Sequence, residues 1–217
     1  PLQVISGYAE LMKNDMVQPS DRQKFAALIY DEAQTMRSLI NDVLTLSKLD
    51  ESAFENDGAT AINLYAVAQR VAGRLSSFAD DQGVRVRVEG ASACIAGSET
   101  LAEEMLYNLI ENGIRYNHEG GLVTMKVGSE CVEGGLANAA YQTVVRVSDT
   151  GPGIPAELHD KVFERFFRVD KSRSKETGGT GLGLAIVKHA VMYHGGVIEV
   201  ESAEGQGTTF VLRFPSA

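Results

Sequence analysis

The feature that most constrains the fold is a long helical pattern near the amino terminus. From residue 20 to residue 57 the chain contains neither glycine nor proline. Apolar side chains recur there on heptad a and d positions, at Phe25, Ile29, Met36, Leu39, Val43 and Leu46. Glu32 is the one polar interruption, and Leu28, Ile40 and Leu44 widen the stripe. A stripe of this width favours a four-helix bundle over a two-stranded coiled coil.

A shorter helical pattern precedes this one. Ile5, Tyr8 and Met12 have a similar spacing, and Pro19 marks a turn between the two helices. Two helices cannot enclose so wide an apolar stripe, so we expect a second copy of the chain to complete a dimeric bundle. The pattern predicts a helical domain at residues 1–50, a polar linker at 51–60 and a second domain at 61–217.

In the second domain helical and extended patterns alternate. Helices are predicted over residues 62–79, 98–117 and 181–193. Strands are predicted over 84–88, 122–127, 143–148, 197–200 and 209–214, the last two as a hairpin. Helices on one side of a mixed sheet give an α/β sandwich. The whole chain is therefore predicted to be α+β, a helical hairpin followed by a sandwich.

Composition excludes some classes of function. The net charge is -9, which argues against general binding to nucleic acid or to anionic membranes, because both reward a basic face. No apolar run is long enough to cross a bilayer, and no signal pattern opens the chain. Cys94 and Cys131 lie far apart in sequence and suit two reduced thiols in the cytosol.

The stretch from Asn108 to Tyr116 is the first with candidate chemistry. Asn108, Asn112 and Arg115 are spaced i, i+4 and i+7, so they share one helix face. Amide oxygens suit Mg²⁺ that is already surrounded by triphosphate oxygens and water. A solvated amphipathic face gives the same pattern, so this stretch alone decides nothing.

A second stretch, Asp149 to Gly153, follows a predicted strand. A carboxylate at Asp149 can accept a hydrogen bond from the exocyclic amine of adenine, and it would face a carbonyl oxygen in guanine. Gly151 and Gly153 would let the backbone approach the base closely. An ordinary tight turn would also require glycine.

Two further stretches could bind phosphate. Residues 163–168 carry arginines, which pair with phosphate oxygens through two donors, and Arg168 and Arg173 lead into a polar stretch that we expect to be a mobile loop. Glycines from 178 to 183 then precede a helix, whose amino terminus favours phosphate. Neither a Walker loop nor a Rossmann fingerprint fits, since no Lys-Ser or Lys-Thr comes after the glycines and no strand precedes them.

In this order the four stretches resemble the Asn box, first glycine box, Phe box and second glycine box of sensor histidine kinases of two-component systems. The helical part resembles their dimerisation and phosphoacceptor domain, and residues 1–5 match the segment directly after the family's His box. The resemblance implies a Bergerat-type ATP sandwich with a flexible lid, and ATP and Mg²⁺ as cofactors. It also implies a homodimer that passes phosphate from a histidine to an aspartate of a response regulator receiver domain, in the cytoplasmic part of a membrane-anchored sensor.

The resemblance also assigns residues. It implies that Asn112 is the Mg²⁺ ligand and that Asn108 adjoins the metal or the phosphates. Arg115 and Tyr116 match a Lys-Tyr pair near the phosphates, and Asp149 would read adenine. The other nucleotide-binding residues it implies are Gly151, Gly153, Arg168, Arg173, Gly179, Thr180, Gly181, Leu182, Gly183 and Thr208.

The phosphoacceptor histidine of the family would lie ahead of Pro1, so this chain by itself is not expected to autophosphorylate. Its own histidines, His118, His159, His189 and His194, are expected to be structural or solvated. Gly113 stands where the family usually has alanine, at a cost to the helix of about 1 kcal/mol.

Two alternatives stay open. Gyrase-type and chaperone-type ATP hydrolases share the sandwich, but they need a glutamate base where this chain has Asn108, and an amide cannot take a proton at neutral pH. Glu111 points about 100° away from Asn112 on the helix. Glu103, Glu104 and Glu111 are expected on a solvated face, with Glu104 a candidate neighbour of Asn108. The other alternative is a pseudokinase scaffold, which nucleotide binding would test.

Overall fold

The computed structural model describes residues 2–51, 60–131, 141–169 and 179–215, with the backbone alone described at 48–51, 131 and 141. Its first part is a helical hairpin. Helix α1 spans Leu2–Lys13, a 3-10 turn spans Pro19–Asp21, and helix α2 spans Arg22–Glu51. Tyr8 of α1 and Phe25 of α2 pack edge to face with ring centroids 5.3 Å apart. No helix in the described ranges combines the length and apolarity that a membrane span needs.

The second part is built on a five-stranded sheet. Its strands are β2 (Arg85–Gly90), β4 (Leu122–Cys131), β5 (Tyr141–Asp149), β6 (Val197–Ser202) and β7 (Thr208–Pro215), in the order β2-β4-β5-β7-β6. The pair β2 and β4 is parallel, and the other pairs are antiparallel. A separate two-stranded sheet joins β1 (Thr60–Asn63) to β3 (Cys94–Gly97).

The described residues of this second part form the helices α3 (Leu64–Arg74), α4 (Ser76–Asp81), α5 (Glu99–Arg115) and α6 (Gly183–Tyr193). Helix α5 buries Met105, Leu106, Leu109 and Ile110 in the core cluster that contains the inward side chains of β4 and β5. The predicted helical hairpin followed by an α/β sandwich is confirmed.

Helix α5 begins where its sequence predicts. Ser98 is the N-cap, and its hydroxyl oxygen accepts a hydrogen bond from the Leu101 N–H at 3.4 Å. Glu99 lies in the first turn and Arg115 in the last, which matches the direction of the helix dipole. The cap fixes where α5 begins, and its buried apolar residues fix which face meets the core, so that Asn108 and Asn112 are left to line the cavity.

The predicted helix over 62–79 is wrong at its start. Residues 60–63 form a strand, and α3 begins after Asn63, whose side chain accepts hydrogen bonds from the N–H groups of Tyr65 and Ala66. The strand exists because β3 pairs with it, and that partner lies more than thirty residues away in sequence. Most of the predicted linker at 51–60 lies outside the described residues, and so does Arg173 with the predicted loop around it.

Helix α2 has two apolar faces with different environments. Leu46 is 3% exposed and packs with Leu182, Ala185 and Ile186 at the start of α6. By contrast, Ile40, Val43 and Leu44 are 52%, 48% and 54% exposed. One part of the wide stripe therefore contacts the second domain, and another part faces solvent in the single chain.

Candidate functional site

The four stretches selected from the sequence converge on one cavity of about 1220 Å³. Helix α5 forms one wall, and the amino terminus of α6 with the segment before it forms another. The predicted residues that line the cavity are Asn108, Asn112, Arg115, Tyr116, Asp149, Gly153, Arg168, Gly179, Thr180, Gly181, Gly183 and Thr208. Residues that are up to 100 positions apart in sequence thus share one concave surface.

Asp149 occupies one end of the cavity, at the end of β5. Its Oδ1 atom accepts hydrogen bonds from the N–H groups of Gly151 at 2.8 Å and Thr208 at 3.3 Å. Burial raises the pKa of this carboxyl, and the two backbone hydrogen bonds lower it in part. Because two backbone donors hold Oδ1, the carboxyl group has a fixed orientation, as recognition of a planar base requires.

Glycines make this end of the cavity possible. A Cβ atom at Gly151 would lie 2.8 Å from the Tyr116 carbonyl oxygen and 2.9 Å from Asp149 Oδ1. Gly153 has a φ of +75°, and a Cβ there would lie 2.0 Å from the carbonyl oxygen of Ala203. Gly151 does not line the cavity itself. Its backbone N–H donates a hydrogen bond to Asp149, which does.

Ser202 is a residue of this end that the sequence did not reveal. Its hydroxyl donates to the Gly207 carbonyl at 2.8 Å and accepts from the Ile154 N–H at 2.8 Å. It also lies 3.0 Å from the hydroxyl of Thr208. A lone serine at a strand end carries no sequence signal, because its partners come from two separate loops. Ser202 thereby ties the glycine turn after Asp149 to the β6–β7 hairpin.

Asn108 lies further along α5, against the amino terminus of α6. Its Nδ2 donates to the Glu104 carbonyl oxygen at 2.9 Å, and its Oδ1 lies 2.7 Å from where a Cβ at Gly183 would stand. Asn112 lines the cavity one turn later. The amino terminus of α6, whose first-turn N–H groups have no partner within the helix, is therefore held next to Asn108, an arrangement that suits phosphate.

Arg115 and Tyr116 end α5 beside the cavity. The Arg115 guanidinium donates to Glu111 at 2.7 Å and lies over the Phe78 ring, 5.6 Å from its centroid. The hydroxyl of Tyr116 lies 3.3 Å from where a Cβ at Gly179 would stand. Both residues thus line the cavity from the helix terminus, and Tyr116 reaches the glycine-rich segment.

The Phe stretch and the glycine-rich segment hold each other in place. The Phe166 N–H donates to the Gly181 carbonyl at 2.8 Å, and the Arg168 guanidinium donates to the carbonyl of Gly179. Phe166 and Gly181 have φ values of +64° and +72°, a backbone region that favours glycine. The glycine at 181 therefore permits the close antiparallel approach of the two segments.

The side chain of Leu182 lies away from the cavity, and its predicted part in nucleotide binding stays a prediction. Its side chain is fully buried against Leu46 and Ile186 and does not line the cavity. The cause is tertiary, because α2 covers this face of α6 and gives an apolar side chain a better environment than the cavity. The predicted contact of Arg173 lies outside the described residues.

Glu104 is a correction. It was expected on a solvated face, but it lines the cavity half-buried. Burial, and then the nearby charge of Asp42, raise the pKa of the Glu104 carboxyl, while the Thr45 hydroxyl of α2 lowers it. Ser38 and Asp42 of α2 also line the cavity, and the sequence did not point to either.

The side chains that line the cavity decide which kind of metal ion could bind there. Within the described ranges, no cluster of three or more His, Cys, Asp or Glu side chains could hold a metal ion. Asn112 offers a single neutral amide oxygen to the cavity. This donor set fits a Mg²⁺ ion whose other ligands are phosphate oxygens and water, and it does not fit an ion held by protein side chains alone.

Comparisons with known proteins agree with this geometry. The family model described as histidine kinase-, DNA gyrase B- and HSP90-like ATPase matches residues 97–217, and that of the His kinase A phospho-acceptor domain matches residues 1–52. The sensor-like histidine kinase SenX3 of Mycobacterium tuberculosis is 34% identical over 195 residues, which are 89% of this chain and 45% of the relative. The chain spans about half the length, or less, of the curated relatives it matches.

Two solved structures are similar in fold. Full-length ShkA, solved in complex with AMPPNP, has a TM-score of 0.71 and 28% identity, over 100% of this chain and 43% of that one. ThkA, solved in complex with the response regulator TrrA, has a TM-score of 0.73 and 23% identity, over 100% of this chain and 58% of that one. The chain therefore belongs to the histidine kinase-, DNA gyrase B- and HSP90-like ATPase family, as the core of a two-component sensor histidine kinase.

Proposed function

We propose that this core binds Mg·ATP in the cavity and catalyses transfer of the γ-phosphoryl group to a histidine of the dimerisation helices. The phosphate would then pass to an aspartate of a response regulator receiver domain. The observation that carries the proposal is the shared cavity of an oriented carboxyl at Asp149 and the amino terminus of α6 beside Asn108. One end suits the adenine amine, and the other suits phosphate.

In this proposal Asp149 accepts a hydrogen bond from the adenine amine, and the first turn of α6 with Gly179 and Gly181 donates backbone N–H groups to the phosphates. Asn112 would hold Mg²⁺, which would neutralise charge that develops on the transferred group. Arg115 lies at the cavity wall and would add positive charge near the phosphates. Most of the catalysis would then be positioning and charge stabilisation.

A hydrolase of the gyrase or chaperone type is the alternative that shares this cavity. The residue at the position of its general base is Asn108, whose Nδ2 donates to a helix carbonyl and whose Oδ1 faces α6. An amide held this way cannot activate water at neutral pH. This arrangement favours phosphoryl transfer over hydrolysis as the function.

The partners belong to the same proposal. A homodimer would cover the exposed face of α2 formed by Ile40, Val43 and Leu44. The response regulator in the ThkA complex supports a receiver domain as the acceptor of phosphate. A membrane-anchored parent protein, with this core in the cytoplasm, is part of the same proposal.

Nucleotide selectivity tests the proposal. By calorimetry we expect Mg·ATP to bind at least tenfold more tightly than Mg·GTP, because one lost hydrogen bond and two opposed acceptors cost about 1–3 kcal/mol or more. The Asp149→Asn variant should lose this preference, whereas Asp81→Asn, an exposed residue outside the cavity, should keep it. Equal affinities for the two nucleotides would contradict the adenine assignment.

Phosphoryl transfer is tested separately with the full-length parent protein. Labelled ATP should give an acid-labile phosphohistidine, and the label should move to a purified receiver domain. Steady release of inorganic phosphate without a phosphohistidine would favour the hydrolase. Nucleotide binding with neither product would favour the pseudokinase scaffold.

A further inference from the structure

Phe78 lies against the guanidinium of Arg115, although the two residues belong to different helices. The Cζ atom of Arg115, at the end of α5, lies over the ring of Phe78 in α4, 5.6 Å from its centroid. The ring is partly buried against the main core and does not line the nucleotide cavity, whereas Arg115 does. Any effect of Phe78 on a nucleotide in the cavity would therefore pass through Arg115.

Glu111 holds the same guanidinium from one turn earlier in α5. The Nη2 atom of Arg115 donates to Glu111 Oε1 at 2.7 Å, and the two side chains are 23% and 25% exposed. Water and salt screen a pair of this burial less than they screen a pair on the open surface. Because the carboxylate lies about 6 Å earlier along the helix, the arginine side chain turns back over α5 and does not extend past its end.

The pKa of Tyr107 agrees with this direction of the arginine side chain. Burial raises the pKa of the Tyr107 hydroxyl most, and the charge of Glu111 raises it further, whereas the charges of Arg74 and Arg115 lower it. Tyr107 lies two turns before Arg115 in α5. The charge of Arg115 acts there because the guanidinium reaches back toward the start of the helix.

Glu111 connects this arginine to the end of the cavity where phosphate is expected. Asp42 accepts a hydrogen bond from the hydroxyl of Thr180, just ahead of α6, at 2.9 Å. Burial raises the pKa of Asp42 most, the Thr180 hydrogen bond lowers it, and the charge of Glu111 raises it. Glu111, and with it the paired Arg115, therefore lies toward the part of the cavity that the amino terminus of α6 also lines.

A guanidinium can lie on an aromatic ring and still bind phosphate. It stacks through its flat face, and its N–H donors point outward in its plane. The attraction between the cation and the ring grows when both are withdrawn from water. An arginine that is held in place before phosphate arrives loses less side-chain entropy on binding, which raises the affinity.

We propose that Phe78 is a positioning residue for the phosphates of the nucleotide: its ring, with the carboxylate of Glu111, holds the Arg115 guanidinium in the cavity wall before ATP binds. The proposal rests on the proposed function, because it needs a triphosphate in the cavity. It adds a residue outside the cavity that sets the affinity for phosphate and leaves the recognition of adenine at Asp149 unchanged.

Two substitutions of Phe78 test the role of its ring. Phe78→Leu removes the ring and keeps an apolar side chain against the core, whereas Phe78→Tyr retains the ring. Tyr65→Leu is the matched control, because Tyr65 is an aromatic residue that is partly buried against the same core cluster and does not line the cavity.

Two ligands of the 217-residue chain separate phosphate binding from base binding. Calorimetry measures the affinity for AMPPNP with Mg²⁺, and NMR titration measures the affinity for adenosine, which carries no phosphate. Phe78→Leu should bind AMPPNP about threefold to tenfold more weakly, the equilibrium range of a partly desolvated contact between a cation and a ring. Its affinity for adenosine should be unchanged, and Phe78→Tyr and Tyr65→Leu should match the wild type with both ligands.

A double-mutant cycle assigns the loss to Arg115. In an Arg115→Met background, Phe78→Leu should leave the affinity for AMPPNP unchanged, because no guanidinium remains for the ring to hold. Arg70→Met is the control for the lost charge, since Arg70 pairs with Glu99 of the same helix and neither residue lines the cavity. In that background Phe78→Leu should show its full loss.

The wild-type chain gives a measurement that needs no variant. In the nucleotide-free protein, the Nε–H proton of Arg115 should show NOEs to the ring protons of Phe78, and these should persist when AMPPNP binds. Their absence without nucleotide would overturn the proposal, since the arginine would then be held by phosphate and not before it.

The outcomes separate this inference from the proposed function. Normal affinity for AMPPNP in Phe78→Leu, an equal loss for adenosine, or the same loss in the Arg115→Met background would overturn the positioning role and leave ATP binding intact. If the wild type binds no AMPPNP, the proposed function fails and the positioning role fails with it, even where the NOEs show the contact between Phe78 and Arg115 to be present.

Discussion

Asn108 and Gly183 are in direct contact, because a Cβ atom added at residue 183 would lie 2.7 Å from the side-chain oxygen of Asn108. This contact sets how closely the amino terminus of α6 approaches α5. It therefore also sets where the first N–H groups of α6 stand relative to the amide side chains of the cavity.

The Gly183→Ala variant should weaken AMPPNP binding by at least tenfold, because the added methyl group must push α6 or Asn108 out of position. Calorimetry measures the affinity. Gly73→Ala is the control: it lies in α3 with no atom within 4 Å of the added Cβ. It should leave binding unchanged and raise the free energy of unfolding by about 1 kcal/mol. Normal affinity in Gly183→Ala would contradict the role given to this contact.

The cap of α3 gives a prediction about stability. Asn63 accepts hydrogen bonds from the N–H groups of Tyr65 and Ala66 at 3.1 and 3.3 Å. Asn63→Ala should lower the free energy of unfolding by about 1 kcal/mol. Asn63→Asp should retain most of the stabilisation that the cap provides, because a carboxylate can accept the same hydrogen bonds. Urea unfolding followed by circular dichroism measures both variants, and equal stability of Asn63→Ala and the wild type would show that the cap contributes nothing.

The exposed face of α2 gives a prediction about assembly. Val43 and Leu44 are 48% and 54% exposed in the single chain, and a partner helix would bury them. Leu44→Lys should therefore shift the chain from dimer to monomer in light scattering. Val197→Lys changes an equally exposed apolar residue on β6 and should leave the mass unchanged. A wild-type chain that is monomeric at high concentration would contradict the dimer.

His194 gives a prediction about pH. It is buried, its Nδ1 donates to the Ala190 carbonyl at 2.7 Å, and its Nε2 accepts from the Ser98 N–H at 3.2 Å. Burial lowers the pKa of this imidazole below its ordinary value of 6.5. The unfolded state then binds the proton more readily than the folded state, so stability should fall as the pH falls through and below 6.5.

Thermal unfolding between pH 8 and pH 5 checks this prediction. The carboxyl groups of Asp42, Glu104 and Asp149 have raised pKa values, so they increase stability as the pH falls, opposite to His194. The slope of stability against pH must therefore be compared between the wild type and a variant of His194. His194→Gln should reduce the loss of stability on acidification. An identical slope in the wild type and in this variant would assign the effect to other groups.

Some helices and strands could be predicted from the local sequence, and others could not. Helix α5 was predicted correctly because a local cap at Ser98 and an apolar face specify it within one segment. The strand over residues 60–63 was missed because its only reason to be extended is pairing with residues 94–97. A short strand has weak local preference, and the partner strand decides its conformation.

In the candidate site, too, some residues could be predicted from the sequence and others could not. The order and spacing of the asparagines, Asp149 and the glycines along the chain indicate nucleotide chemistry, because those residue types carry it wherever they meet. The sequence could not indicate Ser202, Thr45 or Asp42, whose roles arise from neighbours in other elements. It also could not show that Leu182 turns toward α2.

The two-part architecture, the helix that carries the asparagines and the residue types of the site could therefore be predicted, since these depend on periodicity and local chemistry. The packing of α2 on α6, which places the carboxylate of Asp42 in the wall of the cavity, could not be predicted. The burial of Leu46 and the hydrogen bond from Thr180 to Asp42 arise only after two segments that are distant in sequence have met.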